Sequence, residues 1–303
     1  MSLHHHKKKG KDEFYIFKNK TSGEKVVHAI VFVIFLIYAL TLLVPMIWLL
    51  VQSLHEPKTY NFTVVLNGPM SFPEKLNFSN YISAFSRMVY NNANFIEMVI
   101  NSLWYIFIAN TWVLFWPVLV GYIFSKYKFK GREPFYMLII FTLIVPVTGT
   151  TGATIKLVNE LGLYDKGPLL VIATGVSGFS SSFLIYYAIF KGISWDYAES
   201  VFVDGGGNFT AFIYIMLPVA MPAISAMMVT NIITQWNEYM QFMYYMPSTP
   251  PVAMGLYGIS LSIENDKPIY YSALVISMIP VLIIYGFMAE GMMKNLTIGG
   301  LKG

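Results

Sequence analysis

Residues 196–222 read DYAESVFVDGGGNFTAFIYIMLPVAMP and lie between two long apolar stretches of the chain. Three carboxylates, Asp196, Glu199 and Asp204, are the only ones between Lys166 and Glu238. Three consecutive glycines follow the last carboxylate. An acidic, glycine-rich turn in so apolar a chain indicates a surface that contacts something other than lipid.

The first part of this stretch is compatible with a short helix. Ser194 can cap the helix, and Asp196 falls in the first turn, where a negative charge is favoured by the helix dipole. Ala198, Val201 and Phe202 follow the i, i+3, i+4 spacing and predict one apolar face. A helix that lies on lipid is the alternative, but such helices are rich in Lys and Arg. The acidic character therefore favours a protein partner.

The second part predicts a sharp reversal followed by a perturbed span. Glycines 205–207 permit positive φ angles. Pro218 and Pro222 each lack a backbone donor, so they are expected to kink the next span or to mark its beginning.

The composition indicates an all-α integral membrane protein. Of 303 residues, 56% are hydrophobic and 12% are charged, about half the charge of a typical soluble domain, which carries roughly 25%. The net charge of +4 is spread between the spans, so it does not indicate nucleic-acid binding. The absence of cysteine excludes disulfides, thiolate catalysis and cysteine metal sites.

Six stretches meet the requirement of about 20 apolar residues for a transmembrane helix. They are residues 26–51, 98–125, 134–155, 168–190, 209–235 and 270–289. None contains Asp, Glu, Lys or Arg. We therefore predict a cytoplasmic head (1–25), a six-helix transmembrane domain (26–290) that includes the hairpin helix within 194–208, and a cytoplasmic tail (291–303).

The orientation follows from the basic residues. Fourteen of the 20 Lys and Arg residues lie in the head, the second and fourth connectors and the tail. Positive residues stay in the cytoplasm, so both termini and the acidic hairpin are predicted to be cytoplasmic. The first residues, MSLHHHKKKGK, are open to two interpretations, an expression tag and a natural basic head.

The sequence contains no residues that would couple the spans to a proton gradient, no loop for ATP hydrolysis and no convincing catalytic site. Charges inside spans mark proton relays, and no GxxxxGK[ST] loop for ATP is present. The sequence Gly175-Val176-Ser177-Gly178 resembles the GxSG motif of rhomboid-like proteases, which needs a later histidine, but none of the five histidines follows Ser177. Close helix packing is favoured there. We predict no catalytic residue and no metal site.

The hairpin resembles the EAA loop of importer-type ABC transporter permeases. That pattern has Glu-Ala-Ala, a Gly after an Asp, Leu-Pro and a further Pro. The matching residues are Glu199, Asp204, Gly205, Phe212, Leu217, Pro218 and Pro222. Ser200 and Val201 replace the two alanines, and Ser194 replaces a proline that often precedes the loop.

The resemblance extends along most of the chain and is to the maltose-type carbohydrate permeases. Supporting segments, in order, are residues 45–48, 53–54, 72–73, 80–81, 101–103, 121–125, 131–132, 161–163, 236–239 and 296–303. It implies the type I ABC importer permease fold in the plasma membrane of a prokaryote. The implied partners are a second permease, two cytoplasmic ATPases, an extracellular solute-binding protein, a sugar and the lipid bilayer.

The resemblance also assigns roles to residues. The hairpin helix would be the coupling helix that sits in a groove of the ATPase. Its predicted coupling residues are Glu199, Ser200, Val201, Phe202, Asp204, Gly205, Gly206 and Gly207. No cofactor would bind this chain, because ATP and Mg belong to the ATPase.

A sugar site combines aromatic faces with amide and carboxylate groups. The residue types that suit it at the outer end of the fifth span are Asn231, Gln235, Trp236, Asn237 and Glu238. The alternative is that Asn231 and Gln235, one turn apart, bond neighbouring helices. For the whole protein, the alternative to an importer subunit is an ATP-independent facilitator or secondary carrier. Peptide, polyamine and anion importers also have EAA loops.

Overall fold

The structure, a computed structural model, describes residues 22–145, 149–175, 180–261 and 266–296, with side chains from Gly23 to Phe287 within those ranges. Most of the predicted head and tail therefore lie outside the described residues, as does Ser177.

The described chain is built of helices and one small hairpin. The helices are α1 (Ser22–Ser53), α2 (Tyr60–Asn67), α3 (Ser79–Arg87), α4 (Phe95–Ile108), α5 (Leu114–Lys126), α6 (Arg132–Ile144), α7 (Thr151–Glu160), α8 (Pro168–Thr174), α9 (Ser181–Gly192), α10 (Asp196–Val203), α11 (Asn208–Ala211), α12 (Leu217–Trp236), α13 (Met240–Tyr245), α14 (Val252–Ser260) and α15 (Lys267–Leu296). Strands β1 (Val89–Tyr90) and β2 (Ala93–Asn94) pair antiparallel, with Val89 opposite Asn94. The fold class is helical, as the sequence predicts.

Four continuous helices are long and apolar enough to cross a membrane, judged by length and composition. They are Gly23–Ser53, Phe95–Lys126, Asn208–Trp236 and Lys267–Phe287. They coincide with four of the six predicted spans. The prediction of an integral membrane protein is confirmed at this level.

The other two predicted spans are not single helices. Residues 134–155 are divided between α6 and α7, and residues 168–190 between α8 and α9. The four helices have 13, 10, 7 and 12 residues, each shorter than the about 20 that a span needs. Gly149, with φ of +78°, precedes α7 in a conformation that no regular helix contains. The count of six spans stays a prediction.

Two of the long helices contain a π-helical turn. The turns are Ala109–Val113, before α5, and Phe212–Met216, before α12. Pro117 lies inside α5, and Pro218 lies in the first turn of α12. A widened turn redistributes the backbone bonds that a proline interrupts. The π-helical turn Phe212–Met216 comes just before Pro218, and Pro222 is accommodated inside α12. The predicted kink stays a prediction, and the span begins before Pro218, at Asn208.

Helices α5 and α9 form a close pair. A Cβ on Gly121 would lie 2.9 Å from the backbone nitrogen of Tyr187, so only glycine lets the two helices approach this closely. Tyr186 and Phe190 of α9 are fully buried beside Tyr122 of α5. The acidic hairpin packs against this pair of helices through Ala198.

Helix α1 is exposed along most of its length. Phe32 and Phe35 are each 65% exposed, and the apolar window of this helix has no buried residue. An apolar helix that its own chain leaves uncovered is typical of contact with lipid or with another membrane helix.

Candidate functional sites: an acidic hairpin and a polar cavity

The acidic hairpin begins with α10, as predicted. The Ser194 hydroxyl accepts a hydrogen bond from the Asp196 backbone N–H at 3.3 Å. Trp195 stands at the N-cap position and has no side-chain capping bond. Ser194 therefore supports the start of the helix from one position earlier than a regular cap.

Two backbone hydrogen bonds end α10 in a Schellman motif. The Gly205 N–H donates to Phe202 O at 3.1 Å, and the Gly206 N–H donates to Val201 O at 2.8 Å. Gly205 has φ of +81°, which confirms the predicted positive φ. A Cβ on Gly206 would lie 2.5 Å from Val201 Cγ1. Each of these glycines is thus required by local geometry.

The apolar face of α10 packs into the protein's own core. Ala198 is fully buried, and Val201 and Phe202 are half-buried around Tyr122, Phe190 and other core residues. The predicted apolar face is confirmed. Val201 and Phe202, which the resemblance assigns to coupling, fix the helix to the membrane domain and offer only part of their surface outward.

The opposite face of the hairpin is open and mixes charge with apolar side chains. Val203 is 87% exposed and Phe209 is 77% exposed. The carboxylates of Asp196, Glu199 and Asp204 are on the same exposed turns. Exposed aliphatic and aromatic groups beside carboxylates form a surface suited to a protein partner with a basic, partly apolar groove.

The base of the hairpin is tied to the end of α5. The Lys126 ammonium donates to Ile193 O, and the Tyr127 hydroxyl donates to the Asn208 side-chain oxygen at 3.2 Å. The Tyr127 ring packs edge-on against Trp195, with 5.6 Å between centroids. A displacement of the hairpin therefore acts directly on α5.

A cavity of about 330 Å³ lies among α4, the π-helical turn Ala109–Val113, α7, α8, α12 and α13, within the roughly 300–1,000 Å³ range of small-molecule pockets. Its polar lining residues are Tyr105, Thr154, Thr174, Gln235, Gln241 and Tyr245. The Tyr105 hydroxyl donates to Gln241 Oε1 at 2.9 Å. Aromatic, hydroxyl and amide groups here can bind a small polar molecule.

The structure brings one of the predicted pathway residues, Gln235, to this cavity. Trp236 is buried in the core with Phe95 and Met98. Asn237 donates to Ile233 O of its own helix at 2.8 Å.

The remaining two predicted pathway residues are close to the cavity or buried. Glu238 accepts from the backbone N–H of the lining residue Gln241 at 3.0 Å. Asn231 Nδ2 is buried without a hydrogen-bond partner among the described residues. The alternative interpretation, that Asn231 and Gln235 bond neighbouring helices, is not seen for the Asn231 amide nitrogen in the part of the chain that the structure describes.

Sequence reasoning missed most of the cavity. Tyr105, Thr154 and Thr174 come from three different helices and carry no local motif. Gln241 lies six positions beyond Gln235, so a longer segment past Glu238 would have included it.

The connector between α7 and α8 is bonded to the segment that lines one edge of the cavity. The Asp165 backbone N–H donates to Tyr245 O at 2.8 Å. The Ser248 backbone N–H donates to Asp165 Oδ1 at 3.0 Å. Leu163 and Tyr164 pack beside the buried Phe242. This connector thus holds α13 in place over the cavity.

The fourth predicted span also shows why small residues occur there. A Cβ on Gly175 would lie 2.7 Å from Val113 Cγ2 and 2.6 Å from Val171 O. Close packing, predicted for this segment, is confirmed at Gly175. Among the residues that the structure describes, no group of three or more His, Cys, Asp or Glu could hold a metal ion.

No family model matches the chain. The diacetylchitobiose uptake system permease protein NgcG of Streptomyces coelicolor is 24% identical over 277 residues, which cover 87% of this chain and 85% of that protein. The arabinooligosaccharides transport system permease protein AraQ of Bacillus subtilis is 28% identical over 271 residues, covering 89% and 94%.

A solved structure shares the fold. It is a bacterial ABC transporter involved in the import of the acidic polysaccharide alginate, and its matched chain has a TM-score of 0.71 at 20% identity. The match covers 89% of this chain and 98% of that one. The resemblance predicted from the acidic hairpin is therefore confirmed, and the chain is a relative of the permease proteins of carbohydrate ABC transporters.

Proposed function

We propose that this chain is a permease subunit of an ATP-driven carbohydrate importer, where it forms half of the translocation pathway and catalyses no reaction itself. A second permease, two ATPases that hold ATP and Mg, and an extracellular solute-binding protein complete the importer. The observation that carries the proposal is the open face of the acidic hairpin, with Val203 87% exposed beside carboxylates.

The proposed topology has six spans, with both termini in the cytoplasm of a prokaryotic cell. The uneven distribution of Lys and Arg supports it. The four long helices supply four spans. The pairs α6–α7 and α8–α9 would supply the other two as interrupted helices, which membranes tolerate where the interruption is buried in protein.

The hairpin would act as the coupling helix. Glu199, Ser200 and Asp204 lie on the outward surface with Gly205 and Gly207. A groove on the ATPase would receive this surface and move it as ATP is bound and hydrolysed.

Packing inside the membrane domain would carry that movement to the pathway. Ala198 is locked in the core of α5, α9 and α12, and Tyr127 holds the base of the hairpin. Close-packed interiors transmit displacement because they do not deform continuously. Motion of α10 would thus reach α5, which continues from the π-helical turn that lines the cavity, and α12, whose Gln235 lines it.

The cavity would be this chain's part of the sugar pathway. A sugar ring has apolar faces and a polar rim, which match the Tyr105 and Tyr245 rings and the Gln235 and Gln241 amides. Of the residues predicted from sequence, Gln235 would contact substrate. Glu238 would position Gln241 through its hydrogen bond.

Reconstitution tests the proposal. The chain is placed in proteoliposomes alone, and then with its partner permease, ATPases and binding protein, and uptake of labelled oligosaccharide is measured with and without ATP. The proposal predicts uptake only for the complete set with ATP. Carbohydrate flux through the chain alone would instead establish the facilitator or secondary carrier.

A further inference from the structure

We propose that the cavity of this chain selects neutral carbohydrates and rejects uronates, which are sugars that carry a carboxylate. The inference rests on the proposed function and adds the substrate class. It starts from the lining, because the polar side chains there are two tyrosines, two threonines and two glutamines, none of which is charged.

The two lysines nearest in sequence to the lining residues are exposed and do not line the cavity. Lys156 of α7 is 78% exposed and pairs with Glu160 at 3.8 Å. Lys166, in the connector after α7, is exposed. Neither residue lines the cavity.

A carboxylate beside the lining makes the cavity less favourable to anions. Glu238 Oε1 lies 3.0 Å from the backbone nitrogen of Gln241, which lines the cavity. Like charges repel most strongly where water is excluded. A carboxylate on the substrate would approach this negative group without a compensating cation.

A neutral sugar meets no such obstacle. Each hydroxyl can donate and accept, and so can the amides of Gln235 and Gln241 and the hydroxyl of Tyr245. A buried ion without a partner is strongly disfavoured. We expect a preference of at least about tenfold for the neutral sugar over a uronate of equal size.

The fold by itself does not determine this choice. The structure that shares this fold at a TM-score of 0.71 comes from a transporter of an acidic polysaccharide. Function depends on the site that a fold carries. The difference must therefore come from lining charge, which here is absent from the described lining residues.

The test compares pairs of sugars that differ at a single carbon. Galactose oligosaccharides and galacturonate oligosaccharides of the same linkage and length differ only in a hydroxymethyl group against a carboxylate. Saturation-transfer NMR on the full chain in nanodiscs would report binding. Stronger binding of the galactose series supports the inference. Equal or stronger binding of the galacturonate series, or no binding of either, overturns it.

Charge variants make the test specific to this cavity. Gln241→Lys places a cation at the lining and should narrow or reverse the preference, whereas Gln241→Leu should not. Leu157→Lys adds the same charge at a side chain that is 54% exposed on α7 and should leave the preference unchanged. An unchanged preference in Gln241→Lys, or an equal shift in Leu157→Lys, contradicts the inference.

The outcome is separate from that of the proposed function. ATP-dependent uptake of galacturonate oligosaccharides by the complete importer would overturn the neutral-sugar inference and leave the importer intact. Selective binding of the neutral series without any ATP-dependent uptake would support the neutral-sugar inference and contradict the proposed importer.

Discussion

Asp165 accepts two hydrogen bonds from Ser248, one from its backbone N–H at 3.0 Å and one from its hydroxyl, although 83 positions separate the two residues. Asp165 has φ of +59°, a conformation that Asp tolerates better than most residues. Its own N–H donates to Tyr245 O. The α7–α8 connector and the loop after α13 therefore form one unit beside the cavity.

Weakening this contact should loosen the loop. Asp165→Asn removes the charge from both hydrogen bonds while keeping the backbone conformation accessible. We expect a loss of about 1 kcal/mol, seen as roughly fivefold faster amide exchange at Met246, Ser248 and Thr249. Glu160→Gln is the control, because its exposed pair with Lys156 contributes only about 0.3–0.5 kcal/mol. Equal amide exchange rates in Asp165→Asn and Glu160→Gln would show that the contact between Asp165 and Ser248 does not hold the loop.

The glycine at the end of the hairpin helix has a matched control outside the docking surface. Gly206→Ala forces a Cβ to within 2.5 Å of Val201 Cγ1, whereas a Cβ on Gly192 meets nothing within 4 Å. Gly206→Ala should displace the hairpin and reduce co-purification of the ATPase. Gly192→Ala should retain the ATPase, and equal co-purification by the two variants would contradict this role of Gly206.

Packing between α5 and α9 can be tested in the same way. Gly121→Ala brings a Cβ to 2.9 Å from the Tyr187 backbone nitrogen, and Gly192→Ala meets nothing within 4 Å. Overpacking should destabilise the first variant by about 1–3 kcal/mol. Thermal unfolding in detergent measures this. A melting temperature for Gly121→Ala equal to that of Gly192→Ala would argue against the close approach.

A buried hydroxyl links α4 to α14. The Ser102 hydroxyl accepts from the Val252 backbone N–H at 2.9 Å, and both residues are buried. Ser102→Ala leaves that N–H without its partner and should lower stability by about 1–3 kcal/mol. Ser86→Ala is the control, since Ser86 is exposed and bonds within its own helix. A similar melting temperature for the two variants would show that the bond contributes little.

Hydropathy predicts which segments are apolar but not whether they form one helix. The first span, predicted at 26–51, agrees with Gly23–Ser53 in the structure. Residues 134–155 and 168–190 also lack Asp, Glu, Lys and Arg, yet each is divided between two shorter helices. Hydropathy is averaged over a window of residues. A local break in the helix, such as that near Gly149, therefore leaves the mean hydropathy unchanged.

The hairpin was predictable because its determinants are local. A cap, an apolar face and a glycine with positive φ all lie within a dozen residues of Ser194. The cavity was not predictable, because Tyr105 meets Gln241 only after the helices pack. Gln235 was found from its residue type and position, while Trp236 beside it is a core residue.

The central claim is that the acidic hairpin docks on the ATPase in the cytoplasm. The chain contains no cysteine, so Val203→Cys introduces a single thiol at a side chain that is 87% exposed. Val65→Cys in α2, at 81% exposed and predicted to be outside, is the matched control. We measure disulfide or short-linker crosslinking to the ATPase in intact membranes. The account predicts that the thiol at position 203 crosslinks to the ATPase and that the thiol at position 65 does not. Failure at 203, or crosslinking at 65, would contradict it.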